Sequence, residues 1–259
     1  MRILFFGDIF GKPGRKVLLG ELDSIIHKYN CDIVIANAEN LADGKGLTEK
    51  TLKPLFAIGV DAVTGGNHLW DREESLEFIA REPRIVKPLN MPLRAPGNPC
   101  YRVHKEGMVL DIVSLTGQIF MPPCNSPFEA FENFWNSRED DVPLLVDIHA
   151  ESTSEKRALA WYVDGRAAVL VGTHTHIQTA DEEILPSGTA YISDVGMTGA
   201  HDSVIGVKKE IILEKLTTSV PKRFETSDRG LMVNAVLVDI DEQSRRSINI
   251  MRLRYKVEV

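Results

Sequence analysis

Apolar residues along this chain fall into short continuous runs, each stopped by a glycine or a polar residue and followed by a stretch of helical spacing. Ile3 to Phe6 is such a run, ended by Gly7 and Asp8. A strand buried on both faces reads this way, because neither face needs polar side chains. Beyond the glycine-bearing loop Gly7 to Gly14, Leu18, Leu22, Ile25 and Ile26 recur at helical spacing. Ile33 to Ala36 predicts a second strand, ending in Asn37-Ala38-Glu39-Asn40, and Thr48 is a suitable N-cap for a second helix. Asp61 to Val63 predicts a third strand, ending in Thr64-Gly65-Gly66-Asn67-His68, with a third helix from near Asp71.

The five prolines between Pro83 and Pro99 mark a connecting passage. Strands are then expected at Val109 to Leu115, Val142 to His149 and Thr189 to Ile192, and helices at Phe128 to Asn136 and Glu155 to Val163. Leu231 to Ile240 and Ser247 to Val257 alternate about an Asp-Glu-Gln-Ser turn, the pattern of an antiparallel hairpin. Strands alternating with helices define an α/β fold, read as one domain over residues 1–259. In open α/β sheets ligands gather at the carboxyl ends of strands, which is where this chain puts its polar residues.

The stretch Ala167 to Val171, followed by Gly172-Thr173-His174-Thr175-His176, concentrates that signal. In extended backbone residues i and i+2 project to one side, so His174 and His176 are expected to converge on one point at a strand end. Two converging imidazoles suggest a metal, although a pair of surface histidines accounts for this stretch alone equally well. Asp8, Glu39, Asn40, Asn67, His68 and His149 occupy matching strand ends. Each has an ordinary explanation as a turn, cap or core residue, but a core does not line one edge with so many ionisable groups. Carboxylate, amide-oxygen and imidazole donors together suit manganese, iron or zinc better than calcium or magnesium.

Composition narrows the partners more than the fold. A formal net charge of −7 argues against a broad nucleic-acid surface, while leaving room for a phosphate pocket if cations supply positive charge. Three cysteines without metal-ligand spacing point to a reducing, cytoplasmic setting. No apolar run approaches the ~20 residues of a membrane span, and the N-terminal run is too short for a signal peptide.

Gly7-Asp8, Gly66-Asn67-His68, the strand-end His149 and Gly172-Thr173-His174-Thr175-His176 resemble the ordered motifs of the calcineurin-like metallophosphoesterases. Asn37-Ala38-Glu39-Asn40, Met197-Thr198-Gly199 and Asp202 to Gly206 are similar more closely to the YmdB-like branch, bacterial phosphodiesterases acting on cyclic nucleotides. The wider superfamily usually has a histidine where this chain has Phe10, and a bridging aspartate where it has Glu39.

The resemblance implies a calcineurin-like sandwich of two β-sheets flanked by helices. It also implies that Asp8, Glu39, Asn40 and His176 hold one metal and Glu39, Asn67, His149 and His174 a second, with Glu39 bridging. Iron or manganese, a small phosphodiester substrate with 2′,3′-cyclic nucleotides favoured, and a homo-oligomer follow from the same likeness. A hydroxide between two cations would be the nucleophile, and His68 the proton donor. Asp71 could orient His68, but its place in the chain favours a helix N-cap. His27 and His104 are expected at the surface, His201 in a solvated loop, and Trp70 either in the core or beside a base.

Three other readings compete. A dinucleotide-binding oxidoreductase would use Gly7, Gly11 and Gly14, but the spacing is not G-x-G-x-x-G and Asp8 would oppose a pyrophosphate. A non-catalytic metal-binding regulator would keep the ligands without turnover. A phosphatase or nuclease would act on another phosphoester.

Overall fold

The structure, a computed structural model, describes residues 1–258. Its larger sheet runs in spatial order β2 (Asp8–Ile9), β12 (Met197–Ala200), β13 (Leu231–Ile240), β1 (Arg2–Phe6), β3 (Ile33–Asn37), β4 (Ala62–Thr64) and β5 (Ile85–Val86), with β14 (Ser247–Lys256) also paired to β13. The smaller sheet runs β10 (Glu183–Ile184), β11 (Ala190–Ile192), β9 (Val169–Thr173), β8 (Leu144–His149), β7 (Met108–Thr116) and β6 (Cys100–Lys105). The centre of each is parallel: β1, β3, β4 and β5 in one, β7, β8, β9 and β11 in the other.

Alternation along β1 explains its unbroken apolar run. Ile3 and Phe5 face inward and pack with Ile112, Leu145, Val169 and Val171 of the opposite sheet. Leu4 and Phe6 face outward onto α1 (Gly11–Tyr29), through Val17, Leu18 and Leu22, and onto α2 (Glu49–Ala57), through Leu52 and Leu55. The far face of the smaller sheet is covered likewise by Phe131 of α4 (Pro127–Asn136) and by Leu159, Ala160 and Val163 of α5 (Thr153–Val163). The layers are therefore helix, sheet, sheet, helix, the expected sandwich. Each fully buried Phe or Leu in these layers is worth ~1.5–3 kcal/mol of transfer free energy, so both helix layers are needed to cover the strands.

Polar contacts tie the two sheets together at their carboxyl ends. Asp147 of β8 accepts hydrogen bonds from Asn37 Nδ2 at 3.1 Å and from Thr64 Oγ1, and Ser114 Oγ donates to the Gly65 carbonyl at 2.8 Å. This seam places the strand ends of both sheets at one edge.

The expected helices and hairpin are present, with Thr48 capping α2 through a reciprocal pair of bonds with Thr51. Several boundaries differ. α1 starts at Gly11, inside the anticipated loop, and α3 (Leu76–Arg81) follows a 3-10 turn at Glu73–Ser75 instead of beginning near Asp71. The pattern did not predict β2, β5, β10 or β12, which are two to four residues long and hold no full period. Nor did it predict β6, a partly exposed strand, or α6 (Lys209–Thr218), which has no fully buried residue and packs on the core only through the partly buried Ile212. Among the described residues no helix is long and apolar enough to cross a membrane.

Candidate metal centre

The strand-end residues gather in two adjoining groups. In the first, His149 is the pivot. Asp147 fixes its ring indirectly: Thr173 Oγ1 donates to Asp147 Oδ1 at 2.7 Å, and so accepts from His149 Nδ1–H at 2.9 Å. The other ring nitrogen, Nε2, is left with its lone pair, and the geometry fixes that tautomer. Around it stand Glu39 Oε1 at 3.0 Å, Asn67 Oδ1 at 3.1 Å and His174 Nδ1 at 3.1 Å. His174 Nε2 lies 3.2 Å from Glu151 Oε2, which directs its proton outward and its Nδ1 lone pair into the group. Close approach of His149 requires Gly66, where a Cβ would stand 2.1 Å from the imidazole Cδ2.

Four lone-pair atoms facing one another repel unless positive charge lies between them. Two donors at right angles, each ~2.1 Å from one cation, stand about 3.0 Å apart, which is the spacing from His149 Nε2 to each of its three neighbours. Without a cation only a proton can serve. Burial drives the His149 pKa down, but the charge and hydrogen bond of Glu39 outweigh it and push it up to about 9. His174 goes the other way, down to about 3, through burial and the neighbouring His149 charge. Burial raises the Glu39 carboxyl, yet His149 and His68 bring it down to about 2.

Asp8 and His176 make the second group, with Asn40 lining the same cavity as His176. Burial pushes the Asp8 carboxyl up to about 6, against the pull of His176 and His149. Its Oδ2 accepts from the His174 backbone N–H at 3.1 Å, whereas Oδ1 is buried without a hydrogen-bond partner. Asn40 Nδ2 donates to the Gly44 carbonyl at 3.0 Å, and Asn40 Oδ1 is likewise buried and unpartnered. His176 Nδ1–H donates to the Ile205 carbonyl at 3.1 Å, so its Nε2 lone pair is the one that lies 3.8 Å from Asp8 Oδ1. Buried orphan oxygens are costly, about 1–3 kcal/mol each, and the approach of Asp8 Oδ1 to the His176 lone pair fits a cation. Phe10 packs edge-on against the His176 ring, with centroids 5.4 Å apart, and is cupped by Gly44 and Gly206.

Glu39 stands between the first group and the loop that follows β4. Its Oε2 accepts from the backbone N–H of Gly66 at 2.7 Å and of His68 at 3.0 Å, so it positions the loop that carries Asn67 and His68. His68 Nδ1 lies 2.8 Å from Asp71 Oδ2, leaving Nε2 free. The expected cap role of Asp71 is therefore overturned: the carboxylate has turned back onto the imidazole, and the following turn has no side-chain cap.

Two further expectations change. β9 ends at Thr173, and His174 (φ 102°) and His176 (φ 66°) both have left-handed backbone. They do not project side by side from an extended strand; the turn sends one ring to each group. His201 is not a solvated loop residue either. It is half-buried, bonded through Nε2 to the Met197 carbonyl at 2.8 Å, and burial lowers its pKa. His27 and His104 are exposed, and Trp70 packs at the core margin with its indole N–H on the Pro96 carbonyl.

The sequence reading missed Glu151, Asp147, Lys156 and Asp194. Lys156 is fully buried on α5 and donates to the Thr173 carbonyl at 2.7 Å and to Asp194 Oδ2 at 2.8 Å. Asp194 Oδ2 also accepts from the Thr175 backbone N–H at 3.0 Å and hydroxyl at 2.8 Å. This pair grips the left-handed turn on both sides of His174. A lysine within the buried stripe Glu155, Lys156, Leu159, Ala160, Val163 is the signal that could have disclosed it.

The groups open into a cavity of about 580 Å³ that holds Glu39, Asn40, His68, His174 and His176. Paired sheets between helix layers, with acids, amides and imidazoles drawn from both sheets to one edge, define a metallophosphoesterase-type α/β protein. Comparison with known proteins narrows the class: residues 4–253 match the family described as YmdB-like protein, and the chain belongs to that family. It is 44% identical over 254 residues to the 2′,3′-cyclic-nucleotide 2′-phosphodiesterase of Bacillus subtilis (strain 168), covering 98% of this chain and 96% of that one. A crystal structure of a hypothetical protein from Thermus thermophilus superposes with a TM-score of 0.93 at 39% identity, covering 99% of each chain. A Mycoplasma pneumoniae protein described as a novel phosphatase superposes at 0.94 with 33% identity, covering 99% of this chain and 93% of that one.

Proposed function

We propose that this protein is a dinuclear metal-dependent phosphodiesterase that hydrolyses 2′,3′-cyclic nucleotides. The observation that carries the reading is the pair of adjoining groups of inward lone pairs, His149 with Glu39, Asn67 and His174, and Asp8 with Asn40 and His176. Each group fits one cation, with Glu39 shared, and iron or manganese suits this mixture of donors. Bound there, the cations would lower the pKa of water to ~7 and neutralise charge building on the phosphoryl oxygens.

The chain's own residues supply the rest. Cleavage of the bond between phosphorus and the 2′ oxygen, with water as the incoming group, expels an alkoxide that needs a proton. His68 is the donor: Asp71 holds Nδ1–H and orients the ring, so Nε2 delivers the proton into the cavity. Glu39, through the Gly66 and His68 amides, keeps the donor in register with Asn67. Identity to the Bacillus subtilis relative supports the diester and its cyclic class. The Mycoplasma pneumoniae relative favours a second reading, monoester hydrolysis at the same site.

The test is turnover by purified protein loaded with iron or manganese, on 2′,3′-cyclic AMP and on a nucleoside monophosphate. The reading expects cleavage of the diester that chelation abolishes and metal restores. Metal-loaded protein that cleaves only the monoester refutes it in favour of the second reading. Protein that retains its metal and cleaves neither is a binding protein instead.

A further inference from the structure

We propose that Phe224 is a platform on which the base of the nucleotide stacks, and that it makes the enzyme tolerant of base identity. The inference rests on the phosphodiesterase reading above and names what the non-reacting half of the substrate touches.

Phe224 lines the same cavity as His68 and the two metal groups, yet it is 45% exposed. The other phenylalanine of the cavity, Phe10, is 6% exposed and spent on packing against His176, Gly44 and Gly206. A large flat apolar side chain left open at the mouth of a site, not closed into the core, is a surface for a flat ligand group. Lys215 of α6 reaches over the ring at 4.6 Å from its centroid and occupies one face, so the second face is the one offered to a base.

The ring is also held in fixed relation to the reacting end. Ile205, which lines the same cavity, gives its carbonyl to His176 Nδ1–H. The segment that follows Phe224 is laid against the same wall: Lys208 N–H donates to the Glu225 carbonyl at 2.9 Å, Val207 and Thr226 form a β-bridge, and Ser227 N–H donates to the Gly206 carbonyl at 2.9 Å. Floor and wall therefore share one hydrogen-bonded frame. A cavity of about 580 Å³ lies within the ~300–1,000 Å³ usual for a whole small-molecule ligand. The exposed Lys45 also lines the cavity and suits an anionic ligand. Stacking on a phenyl ring reads the π-face that every base has and not its hydrogen-bonding edge, hence the tolerance.

The experiment compares adenosine 2′,3′-cyclic phosphate with the 2,3-cyclic phosphate of methyl riboside, which lacks a base, on metal-loaded protein. In Phe224→Ala the ratio of kcat/KM for the nucleotide to that for the base-free diester is expected to fall about 5- to 150-fold, the range of one lost stack. Phe224→Leu, which keeps apolar bulk without a flat ring, is expected to fall similarly, and Phe224→Trp to restore the ratio. An unchanged ratio in both Ala and Leu variants, including equal losses on both substrates, overturns the proposal. So does a preference beyond about a hundredfold among the four 2′,3′-cyclic nucleotides in the unmodified protein. If the unmodified protein cleaves neither substrate, the reaction reading fails separately, and calorimetry with adenosine monophosphate decides the platform: weaker binding in Phe224→Leu supports it, equal binding overturns it.

Discussion

Replacing Lys156 by Met tests whether a buried ion pair that does not line the cavity holds the proposed metal ligands in place. Met fills nearly the same volume, so the variant removes charge without opening a cavity. Lys156 and Asp194 are 0% and 1% exposed at their side chains, and breaking such a pair typically costs ~3–5 kcal/mol because a charge is left buried. Asp194 keeps three neutral donors, from Thr175 N–H, the Thr175 hydroxyl and Gly196 N–H, which puts the loss near ~3 kcal/mol. At about 2–4 °C per kcal/mol for a chain of this size, the melting temperature should fall by roughly 6–12 °C. The second effect is specific to the site. The turn through His174 and His176 holds two non-glycine residues at positive φ, at a cost of order 1–3 kcal/mol each. Freed of its Lys156 bond at Thr173, that turn relaxes toward ordinary backbone, and restoring it on metal binding should weaken affinity by about 5- to 150-fold. Differential scanning calorimetry reads the first effect, and metal titration of folded protein at 25 °C reads the second. A melting temperature within 2 °C or so of the unmodified protein would show the pair to be unimportant for stability. A large thermal loss with unaltered metal affinity would refute the clamp itself.

His68→Ala should keep the metal content of the unmodified protein by elemental analysis while kcat on a 2′,3′-cyclic nucleotide drops about 10²–10⁴-fold, the usual worth of a positioned acid; full activity would remove His68 from the reaction. His174→Ala and Asn67→Ala should instead bind less metal, and equal metal content in all three proteins would contradict the ligand assignment. Asp71→Ala should lower kcat by only about fivefold, since the His68–Asp71 pair is 28% and 37% exposed and solvent screens it to ~1 kcal/mol; a loss like that of His68→Ala would show Asp71 to act directly. At the far end of β1, a hydrogen bond from Arg2, opposed by burial, holds the Asp239 carboxyl below its ordinary value. A depressed carboxylate stabilises the fold above the unfolded pKa of ~3.9 and ceases to do so as pH falls through its folded value. The melting temperature of Asp239→Asn should therefore lie below that of the unmodified protein at pH 7, and the gap should begin to close only below about pH 4, as pH falls toward the depressed folded value; a gap that persists in stronger acid would assign the effect to packing.

Local pattern carried most of the strands and helices, because burial on two faces, or on one stripe, writes a period into a few consecutive residues. Ile3 to Phe6 and the terminal hairpin were legible for that reason, while α6, which has no fully buried residue, was not. Polar residues at successive strand ends likewise pointed to one edge. Their division into two groups depended on the resemblance, since spacing alone does not say which ring nitrogen faces which oxygen.

The amino-acid sequence by itself determined the α/β class, the edge where chemistry could gather and the types of donor available there. Tertiary structure alone decided how those donors meet. His174 N–H reaches Asp8 across 166 residues, and Asn37 reaches Asp147 across 110, so neither contact leaves a periodic trace. The left-handed turn that parts His174 from His176, the buried Lys156 that grips it and the return of Asp71 onto His68 are all set by partners remote in sequence or by backbone angles. Hydrophobic period is a property of neighbours along the chain, whereas hydrogen-bond direction and ring tautomer are fixed only when distant segments have packed.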